Sequence, residues 1–136
     1  MVHTYFEIGR MIVEEEQNGY ERAEYGALIL KQVSKELTEK FGKGFSLTNL
    51  KQMRQFYLVY SKGQTPSDQL EFRLSWSHYV KLIQISDPLE RKFYEVESIK
   101  NHWSLRELNR QYDSALFTRL ALSKNKDEVK KLSEQG

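Results

Sequence analysis

Cysteine is missing from all 136 residues, so the chain has no disulfide framework, no thiolate zinc site and no cysteine nucleophile. Proline occurs twice and glycine seven times, few interruptions for this length, which favours helices. No apolar run approaches a membrane span, and the opening MVHTYFEIGR lacks the layout of a signal peptide. The reading is a soluble, cytoplasmic protein that does not touch a membrane. Neither sign of charge dominates: 21 Lys/Arg against 19 Asp/Glu leave a formal +2, which permits nucleic-acid binding without requiring it. His3, His78 and His102 are scattered without ligand spacing, and there is no Ser/His/acid set, P-loop or dinucleotide fingerprint. No metal and no cofactor are expected.

What the chain does have is aromatic mass: two Trp, eight Tyr and seven Phe, ample for the core of one domain without staples. The most organised stretch is Phe41 to Tyr60, FGKGFSLTNLKQMRQFYLVY. Gly42 and Gly44 fall where the chain leaves a helix and needs φ > 0. Phe41 and Phe45 bracket them and are expected to turn inward together. Ser46 is placed to cap a second helix. In that helix Leu47, Leu50, Met53 and Tyr57 recur at spacings of three and four, widened by Phe56 and Tyr60. Thr48, Asn49, Lys51, Gln52, Arg54 and Gln55 are assigned to the opposite face. A helix, a short glycine turn and a helix with hydrogen-bonding side chains outward outline a helix-turn-helix unit, although any surface helix shows a polar face.

Upstream, Tyr5, Ile8, Ile12 and Val13 give a helical stripe with no start signal before it, which suggests a first helix clipped at its beginning. Glu14, Glu15 and Glu16 read as a solvated run, since neighbours on a helix point in different directions. Tyr25, Leu28, Ile29, Val33, Leu37 and Phe41 hold the period of the next helix. After Tyr60, SKGQTPSDQLEFR reads as a polar surface loop. Ser75 or Ser77 can cap the helix whose inward stripe is Trp76, Tyr79, Val80 and Ile83. Ser77 and His78 could contact a phosphate or a base, but a cap and an exposed histidine is the simpler reading. Asp87-Pro88 is the clearest helix start, with Leu89, Phe93, Val96 and Ile99 continuing it as an apolar row and Tyr94 flanking. Ser104 and Glu107 form a capping box, and Leu105, Leu108, Tyr112, Leu116 and Leu120 make one last seam. Residues 1–122 are taken as the domain and 123–136 as a polar linker or tail.

One catalytic pattern is partly present. PD-(D/E)XK nucleases hold Mg²⁺ with an Asp and a later Glu-x-Lys. Two such triplets occur, Glu90-Arg91-Lys92 and Glu128-Val129-Lys130. Such metal sites need carboxylates on adjacent strands, and neither triplet has a strand pattern beside it. The chain is therefore read as non-catalytic.

Six motifs stand in one order: Tyr5 to Arg10 (YFEIGR), Ala23 to Gly26 (AEYG), Phe41 to Ser46 (FGKGFS), Met53 to Tyr57 (MRQFY), Leu74 to Tyr79 (LSWSHY) and Trp103 to Leu108 (WSLREL). On these, the chain from Tyr5 to about Leu120 resembles the N-terminal domain of the bacterial YhcG-type proteins, a domain of unknown function that precedes a PD-(D/E)XK nuclease-like domain. The resemblance implies a DNA-related parent with its nuclease half missing here. The expected fold is all-α, a compact bundle of about six helices with helix-turn-helix-like units. Trp76 and Trp103 should lie mostly inside, among Leu50, Met53, Tyr57, Leu108 and Tyr112. The expected function is a DNA-binding or targeting module of the nuclease. The alternative is a protein-interaction or dimerisation domain, with a homodimer as one partner. If DNA is bound, the contacts fall on Lys43, Ser46, Thr48, Asn49, Lys51, Gln52 and Arg54, with Ser77, His78, Arg106 and Arg110 as further candidates. Arg54 borders the apolar seam and is the candidate that could brace the core instead. Arg106 and Arg110 serve either as phosphate clamps or as partners of nearby carboxylates.

Overall fold

The computed structural model describes residues 2–18, 23–42, 44–62 and 71–124, with only the backbone given at 18, 23–27 and 29. Among them the protein is all-helical, without a strand: α1 Val2–Asn18, α2 Ala23–Phe41, α3 Leu47–Tyr60, α4 Trp76–Leu82, α5 Pro88–Lys100, α6 Leu105–Asp113 and α7 over residues 116–124. The chain falls into two packing units, Met1–Ile83 and Gln84–Gly136.

In the first unit α1 packs chiefly on α3. Phe6, Ile12 and Val13 are buried on α1, and Leu50, Met53 and Phe56 face them from α3. Gly9 sits at the crossing. A Cβ built on it would stand 2.2 Å from the Met53 carbonyl oxygen and 3.0 Å from the Tyr57 Cβ. Only hydrogen fits between the two backbones.

The corner between α2 and α3 is made by Gly42 at φ 80° and Gly44 at φ 111°, where a side chain would strain the backbone. Phe45 then enters the core and its carbonyl accepts a bond from the Ser34 hydroxyl at 2.7 Å. Phe41 does not turn inward with it and is 67% exposed. The two glycines swing Phe45 into the space at the end of α2, and the Phe41 ring rests on Phe45 from outside, 5.9 Å between centroids. On α2 the inward row is Leu30, Val33, Ser34 and Leu37, which leaves Leu28, expected inside, facing out.

Phe72, from the stretch read as a polar loop, joins an aromatic cluster. Its ring lies 5.3 Å from Phe6, 5.0 Å from Phe56 and 5.6 Å from Tyr79. Trp76 is half-buried against the core of Ile12, Leu30, Phe45, Leu50 and Met53. Trp103 is also partly buried, so both tryptophans lie mostly inside, as expected.

The second unit departs further from the apolar pattern of its sequence. Asp87 caps α5, accepting from the Leu89 N–H at 3.0 Å, with Pro88 at its first position. The inward face carries Tyr94 and Ser98, while Leu89 and Val96 of the apolar row are exposed. Tyr94 holds that face because it meets both needs of burial. Its ring packs on Tyr112 at 5.5 Å, and its hydroxyl accepts from the Phe117 N–H at 3.1 Å. Helix α5 ends with His102 at φ 54°, and the Trp103 N–H closes back on the Ser98 carbonyl at 3.0 Å, the Schellman pattern. Ser104 caps α6, but the capping box is one-sided, because the Glu107 carboxylate accepts from Gln111 at 2.8 Å and Arg110 at 3.1 Å. The expected single last helix breaks at Ser114–Ala115, with Ala115 at φ 57°, and Leu120 on α7 is exposed.

Two measurable stability effects follow from this packing. Ser98 is fully buried, and its hydroxyl oxygen has no hydrogen-bond partner among the described residues. Ser98→Ala removes that desolvated group in a helix interior and should raise stability by about 1 kcal/mol, read by chemical denaturation. A loss of stability would mean that the hydroxyl has a partner in solution.

Burial pushes the Tyr94 phenol above its ordinary value, and nearby Glu90 adds to the rise. A raised folded pKa means that the folded state holds its proton longer than the unfolded chain. The stability from Tyr94 is therefore fully present below about pH 10, the unfolded value, and is lost as pH rises through the higher folded one. Alkaline denaturation curves should steepen there, and Tyr94→Phe should flatten them. Identical curves would contradict the burial of the phenol.

Candidate nucleic-acid interface

The candidate site is α3 and its N-terminal corner, and the helical period sorts its residues. Leu50, Met53 and Phe56 are buried, so the outward direction lies opposite them. Thr48, Lys51 and Gln55 occupy it and are exposed, while Gln52 is half-buried at its edge. Asn49 precedes Met53 by four and Phe56 by seven, so it shares their face. Its side chain is spent inside the fold. The amide nitrogen donates to the Gly44 carbonyl, and the amide oxygen accepts from the Trp76 indole N–H at 2.9 Å. Asn49 thus ties the corner, α3 and α4 together. Its backbone N–H is held as well, by the Ser46 hydroxyl at 3.2 Å, which makes Ser46 a cap.

Arg54 is also engaged. Its Nε lies 2.8 and 2.9 Å from the two carboxylate oxygens of Glu16 on α1. It braces α1 against α3. Lys43 lies outside the described residues. Thr48, Lys51, Gln52 and Gln55 have no hydrogen-bond or charge partner among the described residues.

Of the candidates on α4, Ser77 is exposed and His78 half-buried. The cap is Ser75, whose hydroxyl stands 2.6 Å from His78 Nδ1, an imidazole folded back on its own helix start. Arg106 and Arg110 belong to the second unit. Arg106 is exposed, and Arg110 is exposed but paired with Glu107 at 3.1 Å.

Gln55 and Lys62 extend the open face and are not among the contacts expected from sequence. Lys62 is exposed just beyond the end of α3. Helical register with Thr48 and Lys51 is the signal for Gln55, and the distribution of charge is the signal for Lys62. From Lys40 to Ser67 the chain has five basic residues and no acidic one, while the remainder has 16 basic and 19 acidic. The near-neutral total conceals a positive segment centred on the corner and α3. Such a segment has no carboxylate of its own to repel a phosphate backbone, and of its cations Arg54 is offset by Glu16 from α1.

Among the described residues nothing resembles a hydrolytic centre. Glu90-Arg91-Lys92 occupies the first turn of α5, where the Arg91 guanidinium donates to the Ile85 carbonyl at 2.6 Å. Glu128 lies outside the described residues. Among the described residues no group of three or more His, Cys, Asp or Glu could hold a metal ion. No described helix is long and apolar enough to cross a membrane.

The family model of the DUF1016 N-terminal domain matches residues 1–119. The Escherichia coli (strain K12) protein named "Putative nuclease YhcG" is 38% identical over 157 aligned residues, which cover 95% of this chain and 42% of that protein. The chain therefore spans about two fifths of the length of this curated relative. No solved structure matches.

Proposed function

The chain belongs to the DUF1016 N-terminal domain family, and we propose that it is a non-catalytic, helix-turn-helix-like module that brings a nuclease-type protein to duplex DNA. The observation that carries this reading is the acid-free positive segment from Lys40 to Ser67, with Lys51 and Lys62 exposed and unopposed. The relative's name supports a nucleic-acid context, and the linked partner in a longer chain would be its nuclease domain. Of the contacts expected from sequence, Lys51 and Thr48 remain the strongest. Gln52 is secondary. Lys43 is retained for its charge. Asn49 and Arg54 leave the contact set, because their polar groups are bound within the fold.

A second reading has its own observation. Within the first unit Met11, Leu28 and Phe41 are each more than half exposed, apolar surface on which a protein-interaction or dimerisation domain would draw. The two separate in one experiment. The DNA module binds a short duplex with affinity that falls steeply as salt rises, and Lys43→Ala with Lys51→Ala weakens it. The interaction domain gives a salt-insensitive dimer and no shift of the duplex at low salt. In either case the 136 residues with Mg²⁺ or Mn²⁺ should leave plasmid DNA uncut, and cleavage abolished by Glu128→Ala would overturn the non-catalytic assignment.

A further inference from the structure

Resting on the DNA-binding reading, we infer that Gln55 is the base-reading residue of α3, docked along its exposed side rather than by its N-terminus. Two of the other groups on the helix that could read a base edge, Asn49 and Arg54, are already committed. Both ends of the Asn49 amide are used, by Gly44 and Trp76. The Arg54 guanidinium is held by Glu16. Gln52 is half-buried at the margin of the face. Gln55 alone is a primary amide in the middle of the open face, without a partner among the described residues.

Its surroundings fit that role. Thr48 and Lys51 stand on the same side, seven and four residues earlier, so the row from Thr48 to Gln55 covers roughly 10 Å of helix. That is about three base-pair steps at 3.4 Å each. Lys51 and Lys62 place positive charge on either side of Gln55 along the chain, and no acid between residues 40 and 67 opposes them. A primary amide is the side-chain group that meets both major-groove edges of adenine, donating to N7 and accepting from the N6 amine. A helix lies in the major groove of B-form DNA, whereas the deep, narrow major groove of A-form RNA excludes it. The ligand class is therefore duplex DNA with an adenine in the contacted step.

Selection from a randomised DNA duplex pool with the 136-residue chain, followed by anisotropy titrations of the winners, tests this. Wild type should enrich an adenine at one fixed position and prefer it by roughly 5- to 150-fold over other bases. Gln55→Ala should keep its circular dichroism and melting temperature, keep binding DNA, and lose that preference. Duplex RNA of the same sequence should not compete. Enrichment of the same motif by Gln55→Ala, or equal binding of all duplexes by wild type, would overturn the inference while leaving the DNA-binding reading standing. Equal competition by duplex RNA would overturn the docking along the major groove. No binding of any duplex at low salt would overturn the DNA-binding reading itself and this inference with it.

Discussion

Gly9→Ala should destabilise the first unit by about 3 kcal/mol, a fall in melting temperature of roughly 15–20 °C for a unit of this size. The substitution is favourable on propensity alone, since Ala gains about 1 kcal/mol over Gly inside a helix. The clash outweighs it. The added methyl would sit 2.2 Å from the Met53 carbonyl oxygen, which is backbone and has no rotamer to move to. Helices α1 and α3 would have to separate, loosening Phe6, Ile12, Leu50, Met53 and Phe56 together. Thermal melts followed by circular dichroism check this. A variant as stable as wild type would mean that the two helices do not cross at Gly9.

Asn49→Ala is the second large effect. It strands the Trp76 indole N–H and leaves the Gly44 carbonyl without the donor it has at the corner. Each such loss costs about 1–3 kcal/mol when the group is shielded from water, and Trp76 is only half-buried, so about 2–3 kcal/mol in total is expected. Asn49→Asp, which keeps the acceptor for Trp76 but loses the donor, should fall between. In Asn49→Ala, DNA affinity per folded molecule should not change. If that substitution instead preserves stability and weakens DNA binding, Asn49 reads bases and its place in the fold is wrong.

The same residue shows how far the sequence could be read. Helix positions followed from local chemistry: Ser46 and Ser75 cap, Asp87-Pro88 starts α5, and Gly42 and Gly44 turn the corner, because each acts through its own backbone neighbourhood. Which side of a helix faces inward was harder. Polarity assigns Asn49 to the outward side, although its spacing to Met53 and Phe56 places it inward. A polar group is tolerated there only because the Trp76 indole and the Gly44 carbonyl complete it, and those partners are 27 and five positions away. On α5, counting aliphatic residues selects Leu89 and Val96, but Tyr94 holds the core through its ring and a hydroxyl bonded 23 residues away. Phe72 is hidden among polar neighbours that set the character of its stretch. Long-range pairing decided all three.

The site was legible in the same uneven way. Type and spacing of residues on α3 pointed to a polar face, and the charge pattern from Lys40 to Ser67 was present in the sequence throughout. The internal commitment of Asn49 was not, since Trp76 approaches α3 from another helix. That of Arg54 followed from its place beside the apolar seam, but its partner Glu16 on α1 did not. Removing those two residues from the contact set moves the row around the helix, toward Thr48, Lys51 and Gln55.

Exposed lysines meeting DNA phosphates are the core of the proposed function, and the slope of log affinity against log salt measures that directly. For a short duplex, wild type should show a steep negative slope. Lys51→Ala with Lys62→Ala should make it shallower by about 2 units, at roughly 0.9 for each phosphate no longer neutralised. Circular dichroism of the double variant should match wild type, because both side chains are exposed. A slope unchanged by the double substitution, or a wild type that leaves the duplex unbound at low salt, would contradict it.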